Sequence, residues 1–146
     1  MTLTFRQLNQ SWNAEPNAPD VQVVERDGTV ELTFDLNPFQ FADVAPGERA
    51  TIRFQKCVCY RLDLTNDEGW YRGEGRYARA APAWGEFYEV KGGSDVEPEP
   101  TDWILTGSSA DRSVARHFLF YFRDEAFECF ASSCQLDRTG RAAIDL

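Results

Sequence analysis

The sequence predicts a mainly β protein, an antiparallel β-barrel or β-sandwich of short strands with at most one short N-terminal helix. Three observations carry that prediction. Short runs of residues alternate apolar with polar side chains, or are rich in β-branched and aromatic residues, as strands demand. Turn chemistry separates them, notably Asp27-Gly28, Asn37-Pro38, Ala45-Pro46-Gly47 and Gly92-Gly93. No stretch sustains the hydrophobic period of an amphipathic helix.

Residues 1–20 read as an N-terminal lead that packs on the sheet. A short helical piece around Phe5 to Trp12 is followed by Asn13-Ala14-Glu15-Pro16-Asn17-Ala18-Pro19-Asp20, whose prolines and asparagines interrupt regular structure. Val21 to Val24 and Thr29 to Leu36 flank Asp27-Gly28, a signal for a type I′ hairpin because both turn residues need positive φ. Pairing across that turn sets Val23 opposite Leu32 and Val21 opposite Phe34, with Glu31, Thr33 and Asp35 on the wet face.

The longest strand candidate runs from Ala50 to Leu64. Ile52, Phe54, Val58, Tyr60, Leu62 and Leu64 share one parity, with Lys56 the exception. Lys56 therefore marks either a bulge, which would turn Cys57 and Cys59 toward the core, or the rim of the sheet. The segment 65–82 carries Gly69, Gly73 and Gly75, which oppose a stable helix, and is expected to be loop and irregular strand. Trp84 to Val90 is a strand candidate, Asp95 to Asp102 an acidic proline-bearing loop, Trp103 to Leu105 a short strand and Thr106 to Ser113 a further loop.

Arg116 to Phe122 and Phe127 to Ser132 form the clearest hairpin, around Arg123-Asp124-Glu125-Ala126. Pairing Phe122 with Phe127 lines Phe118, Phe120, Phe122, Phe127, Cys129 and Ala131 on one face, the expected centre of the core. The other face, with His117, Leu119, Tyr121, Glu128 and Phe130, is too apolar to be wet. Its candidate covers are the N-terminal lead, the 65–82 segment and a partner chain, which leaves a homo-oligomer open. The tail, 136–146, is expected to fray.

At 146 residues the chain is expected to be one domain, 1–146. Its 42% hydrophobic and 14% aromatic content exceeds what disordered chains carry. A net charge of −9 opposes attraction to phosphate backbones and anionic lipid, so neither nucleic acid nor membrane is expected as a partner. No apolar run approaches the ~20 residues of a bilayer span, and Met1 to Gln7 lacks the basic and apolar regions of a signal peptide. A cytoplasmic location follows. In a reducing compartment Cys57, Cys59, Cys129 and Cys134 are expected as small buried thiols. Their spacing does not fit zinc knuckles, and no metal or other cofactor is expected. His117 is the single histidine and lacks the context of an activated nucleophile, so it reads as structural and no catalytic residue is assigned.

The segments Trp12 to Pro19, Leu36-Asn37-Pro38-Phe39, Tyr60-Arg61-Leu62, Asn66 to Tyr71, Trp84 to Val90, Arg116 to Asp124 and Phe127-Glu128-Cys129 span most of the chain. Together they resemble an uncharacterised family of small bacterial all-β proteins. The resemblance implies a soluble bacterial β domain of unknown function, with no activity, substrate or site residue attached.

Two readings of function follow. The first is a non-enzymatic binding or interaction domain using an Arg/aromatic surface around residues 70–84, with Trp70, Arg72, Arg76 and Trp84 as contacts for an unknown protein partner or a small anionic ligand. The alternative is a small-ligand β-barrel or weak hydrolase whose pocket gathers Tyr60, Asp67, Glu68 and Arg72. Against it, Asn66 and Asp67 are ordinary turn-capping residues. Glu86, Glu89 and Glu128 are further carboxylates on or near aromatic strands that would suit a cavity mouth, but Glu86 and Glu89 differ in parity and do not form a facing pair.

Overall fold

A computed structural model describes residues 3–92 and 102–146. In chain order the elements are β1 (Thr4–Gln7), β2 (Gln22–Arg26), β3 (Thr29–Asp35), β4 (Arg49–Gln55), β5 (Cys59–Asp63), α1 (Asp67–Tyr71), β6 (Phe87–Lys91), β7 (Ile104–Leu105), β8 (Arg116–Tyr121), β9 (Ala126–Ala131), β10 (Ser133–Arg138) and β11 (Ile144–Asp145). A single 3₁₀ turn spans Arg112–Val114. The strands form two antiparallel sheets, ordered β1-β6-β8-β9-β5-β7 and β11-β10-β4-β3-β2. The sheets stack as a sandwich and do not close into a barrel. No helix among the described residues is long and apolar enough to cross a membrane.

The core lies between the sheets. Val30, Leu32, Phe34, Ile52, Phe54 and Leu136 come from one side, and Phe87, Phe118, Phe120, Phe127 and Cys129 from the other. Phe34 meets Phe87 at 5.4 Å and Phe54 meets Phe127 at 5.2 Å between ring centroids, the spacing aromatic pairs favour. The Asp27-Gly28 turn has both φ angles positive, 52° and 81°, and sets Val23 opposite Leu32 as its dipeptide predicts.

Where the chain leaves Gln55, Lys56 takes a positive φ of 51° and the expected long strand breaks into β4 and β5, one in each sheet. The return crossing at Ser132 runs beside it, its backbone N–H donating to the Gln55 carbonyl at 2.9 Å. Parity survives the break: Tyr60 and Leu62 still pack on the core, Cys57 joins it, and Cys59 and Arg61 turn to the outer side. Leu64, expected on the core face, is exposed, because β5 has ended.

Four further expectations need correction. The N-terminal lead is a strand, β1, because its backbone completes the edge of the six-stranded sheet against β6. The one α-helix among the described residues is instead α1, inside the segment read as loop; the Asn66 side chain accepts the Gly69 N–H and offsets the glycine penalty at its start. In the β8–β9 hairpin Phe120, not Phe122, faces Phe127, a two-residue shift that leaves every ring on its expected face. Finally, 136–146 does not fray: β10 pairs with both β4 and β11, and Leu136 is buried, because the residue parity that fills the core continues past Cys134. The expected loop at 95–101 lies outside the described residues.

Candidate functional site

The outer face of the six-stranded sheet is covered. Tyr88, Val90, Leu119 and Tyr121 pack under Trp70, Ala78, Ala81 and Trp84, with Phe5 and Tyr77 alongside. Among the three expected covers, the 65–82 segment supplies most of the layer. Hydroxyls tie it down: Tyr121 donates to the Arg76 carbonyl at 2.9 Å, and Tyr88 donates to the Ala83 carbonyl while accepting its N–H.

Beside this apolar layer sits a buried charge cluster. Glu128, 1% exposed at its side chain, receives a bidentate contact from Arg76 at 2.8 and 3.0 Å and stands 2.6 Å from His117 Nε2. Arg61, also buried, pairs with Asp102 and lies 3.9 Å from Glu128. Burial opposes the charged carboxylate, but the hydrogen bonds and charges of His117 and Arg76 outweigh it and hold Glu128 below the usual carboxylate range. An ionised Glu128 requires the proton on His117 Nε2, whose ring stacks on Phe130 at 4.4 Å. Both carboxylate oxygens are hydrogen-bonded, and because Arg76 belongs to the segment lying over the sheet, the pair ties that segment to β9.

The cysteines behave as small buried groups. All four are free thiols, and burial pushes Cys59 up to about 11 and Cys129 and Cys134 further up. No group of three or more His, Cys, Asp or Glu among the described residues is placed to hold a metal ion.

The residues singled out for the first reading separate. Arg76 is not on the surface; it is drawn inward by Glu128 and lies 4.9 Å from the Tyr77 ring. Trp70 is buried in the outer layer. Arg72 is exposed and bonds Glu74, next to the exposed Tyr71. The four residues of the alternative pocket do not converge. Tyr60 turns inward onto Phe127, Asp67 caps its own helix turn at Glu68 N–H, Glu68 is exposed, and Arg72 points to Glu74.

A different constellation does form, at the end of the sandwich where β3 stops. The lead pairs there as an extra strand: Ala14 bridges Leu36, and Glu15 N–H donates to the Asp35 carbonyl. Asn37 accepts the N–H groups of Phe39 and Gln40 in a side-chain turn, which presents Gln40 to Asn13. On the facing wall Asp67 N–H donates to the Arg123 carbonyl, and Glu86 accepts from Gln7 and Asn9. Between these walls is a cleft of about 320 Å³, floored by Tyr121 and Phe122 and rimmed by Trp84, whose ring sits 4.8 Å from Tyr121.

Asn13 gives the cleft its polarity. Its side-chain N–H donates to Gln40 at 3.0 Å, while Oδ1, in a residue only 8% exposed, has no partner. A buried acceptor left without a donor costs about 1–3 kcal/mol. Trp70 Nε1, Trp103 Nε1 and His117 Nδ1 are also buried without a partner, but of these residues Asn13 alone lines the cleft. A larger groove of about 580 Å³ lies between β1 and β10–β11, but its arginines are spent on neighbours, Arg138 on Glu48, Arg141 on Asp43 and Arg6 on Glu89, and Asp145 accepts from Gln135.

Sequence reasoning found Asp67, Trp84 and Glu86 of the cleft and missed Asn13, Asn37, Gln40 and Arg123. The two asparagines were legible only as interruptions of regular structure, a signal that gives turns without saying what they face. No protein-family model, curated protein or solved structure matches the chain.

Proposed function

We propose that this chain is a non-enzymatic binding domain that seats a small polar ligand in the cleft between Asn13, Trp84 and Glu86. The unpartnered Oδ1 of buried Asn13 carries this reading, since a ligand donor placed there recovers the lost hydrogen bond. An aromatic rim with a few convergent polar groups is the usual make-up of such sites, and the volume falls in their range of about 300–1,000 Å³. The 66–86 segment keeps a binding role, but through Asp67, Trp84 and Glu86 instead of its arginines.

Thermal-shift measurements with the whole chain against cationic, neutral and anionic metabolites test it. A ligand present at a hundred times its Kd stabilises by about 2.7 kcal/mol. That shift is expected in the native chain and is expected to vanish in Asn13→Ala. No shift with any compound at millimolar concentration, or a shift that survives both Asn13→Ala and Trp84→Ala, overturns the reading.

A second reading keeps a protein partner on the exposed part of the same segment, favoured by Tyr71, 73% exposed beside the exposed Arg72. Tyr71→Ser with Arg72→Ala leaves cleft binding intact in either case. A partner whose affinity these changes do not reduce does not use that surface.

A further inference from the structure

The charges around the cleft specify more than polarity. Glu15, Asp67 and Glu86 line it with Arg123 as the one cation, so the local charge is negative. None of the three carboxylates is neutralised by a cation among the described residues. Glu86 is held by the side-chain amides of Gln7 and Asn9, Glu15 by the backbone N–H groups of Asn17 and Ala18, and Asp67 by that of Glu68. Elsewhere the buried carboxylates are matched: Glu89 with Arg6 and Arg116, Glu128 with Arg76, Glu48 with Arg138. The cleft carboxylates thus lack the cation that those more buried ones have, and the Oδ1 of Asn13, which lines the same cleft, is also an acceptor.

We propose that the ligand of this cleft carries an organic cation, a primary ammonium or guanidinium group on a short apolar stem, received by Asp67, Glu86 and Asn13 Oδ1 with the stem against Trp84. This rests on the cleft being the binding site. Three arguments select the class. An N–H-bearing cation donates to every unfilled acceptor at once, and charge-assisted hydrogen bonds are the strong ones. The face of an indole attracts cations through its quadrupole, and the rings of Trp84 and Tyr121 meet at the rim, 4.8 Å apart and tilted by 37°. A bare metal ion is the poorer fit, since no group of three or more His, Cys, Asp or Glu among the described residues is placed to hold one. A neutral polyhydroxylated ligand would bond the amides of Asn13, Asn37 and Gln40 but leave three carboxylates without counter-charge, and an anion would be repelled. The ligand's sign is therefore opposite to the one that the arginines of 70–84 suggested, and the net charge of −9 acts in the same direction.

The test is titration of the whole ¹⁵N-labelled chain with four probes: n-butylammonium, agmatine, butyrate and methyl glucoside. The indole N–H of Trp84, identified with Trp84→Phe, is the reporter. The two cations are expected to shift it saturably, with an affinity that falls as salt is raised, and butyrate and methyl glucoside are expected not to. Asp67→Asn and Glu86→Gln are each expected to weaken agmatine about tenfold, a loss of about 1.4 kcal/mol. Glu25→Gln, which removes the same charge at the far end of the β2–β3 hairpin, is expected to change it less than twofold. Asp67→Asn keeps the oxygen that accepts the Glu68 N–H, so it remains informative if Glu86→Gln unfolds. Saturable binding of methyl glucoside or butyrate at Trp84, unaffected by Asp67→Asn, overturns the cation and leaves the cleft as the binding site. Silence of Trp84 toward both cations overturns the cation as well. Agmatine binding that moves other resonances and is indifferent to Asn13→Ala overturns both the cation and the cleft.

Discussion

The two sheets of the sandwich are made from similar residues and are buried differently. Along β3, β4 and β10 buried and half-exposed positions alternate, while β6, β8 and β9 are buried at nearly every position. An antiparallel sheet commonly keeps one face in water, and the five-stranded sheet does so. The six-stranded sheet cannot, because Leu119, Tyr121 and Phe130 occupy the face turned away from the core. Its second cover is irregular chain, whose buried backbone groups need partners that a strand would supply by itself, and that need accounts for α1 and the tyrosine hydroxyl bonds, beside which the Arg76–Glu128 pair sits. Burial on both faces therefore comes with more buried charge: Arg61, Glu89 and Glu128 lie in the six-stranded sheet, against Arg138 in the five-stranded one.

The largest effect that separates the sheets is expected from their outer faces. Tyr121→Ala, on the covered side, should destabilise by about 3–5 kcal/mol. Thr33→Ala, on the open side, should change stability by no more than about 0.5 kcal/mol, both read from denaturant unfolding. Ion pairs give a slightly smaller contrast. Glu128→Gln leaves Arg76 buried without its counter-charge and should cost about 3 kcal/mol, whereas Glu31→Gln on the half-exposed Arg53 should cost less than about 1 kcal/mol. Equal losses would mean that the cover does not exclude water.

Acid sharpens the comparison further. Burial opposes ionisation of Glu89, but its bonds to Arg116 and Arg6 prevail and hold its carboxyl at about 2. A carboxyl depressed in the folded state stabilises above its unfolded value, so this contribution is present at neutral pH. It should be lost as pH falls from about 4.5 toward about 2. Glu128 adds to the loss in the same direction. Glu89→Gln should flatten that part of the stability curve, and an unchanged slope would show that Glu89 is not paired in solution. The smallest expected effect is on thiol chemistry. With their thiols pushed upward by burial, Cys59, Cys129 and Cys134 should resist alkylation at pH 8 in the native chain and react once it is denatured. Rapid native labelling of Cys59, buried where β5 pairs with β7 and β9, would place an opening there.

Legibility in the sequence follows the same division. The β2–β3 hairpin was readable to the residue because Asp27-Gly28 and strict alternation are both local signals. The β8–β9 hairpin was readable by face but not by register. A shift of two preserves every side, and only the tightness of the Arg123-Asp124 turn selects Phe120 for Phe127. The β4–β5 break was hinted at by Lys56, though not its role as a passage between sheets. Arg76 was misplaced on the surface because its partner, Glu128, lies 52 positions away. The cleft was half visible, through Asp67, Trp84 and Glu86, because carboxylates and aromatics draw notice by type, whereas Asn13 matters only for what it faces.

Periodicity and turn chemistry are properties of neighbours along the chain, and they suffice for a β protein, its main hairpins and the ring-lined face of its core. Which sheet a strand joins, what lies over an apolar outer face and where unmatched carboxylates gather depend on residues far apart in sequence. Those questions are decided by burial: the rings of the outer face had to leave water, and the segment that closed over them carried Asp67, Trp84 and Glu86 to within reach of Asn13.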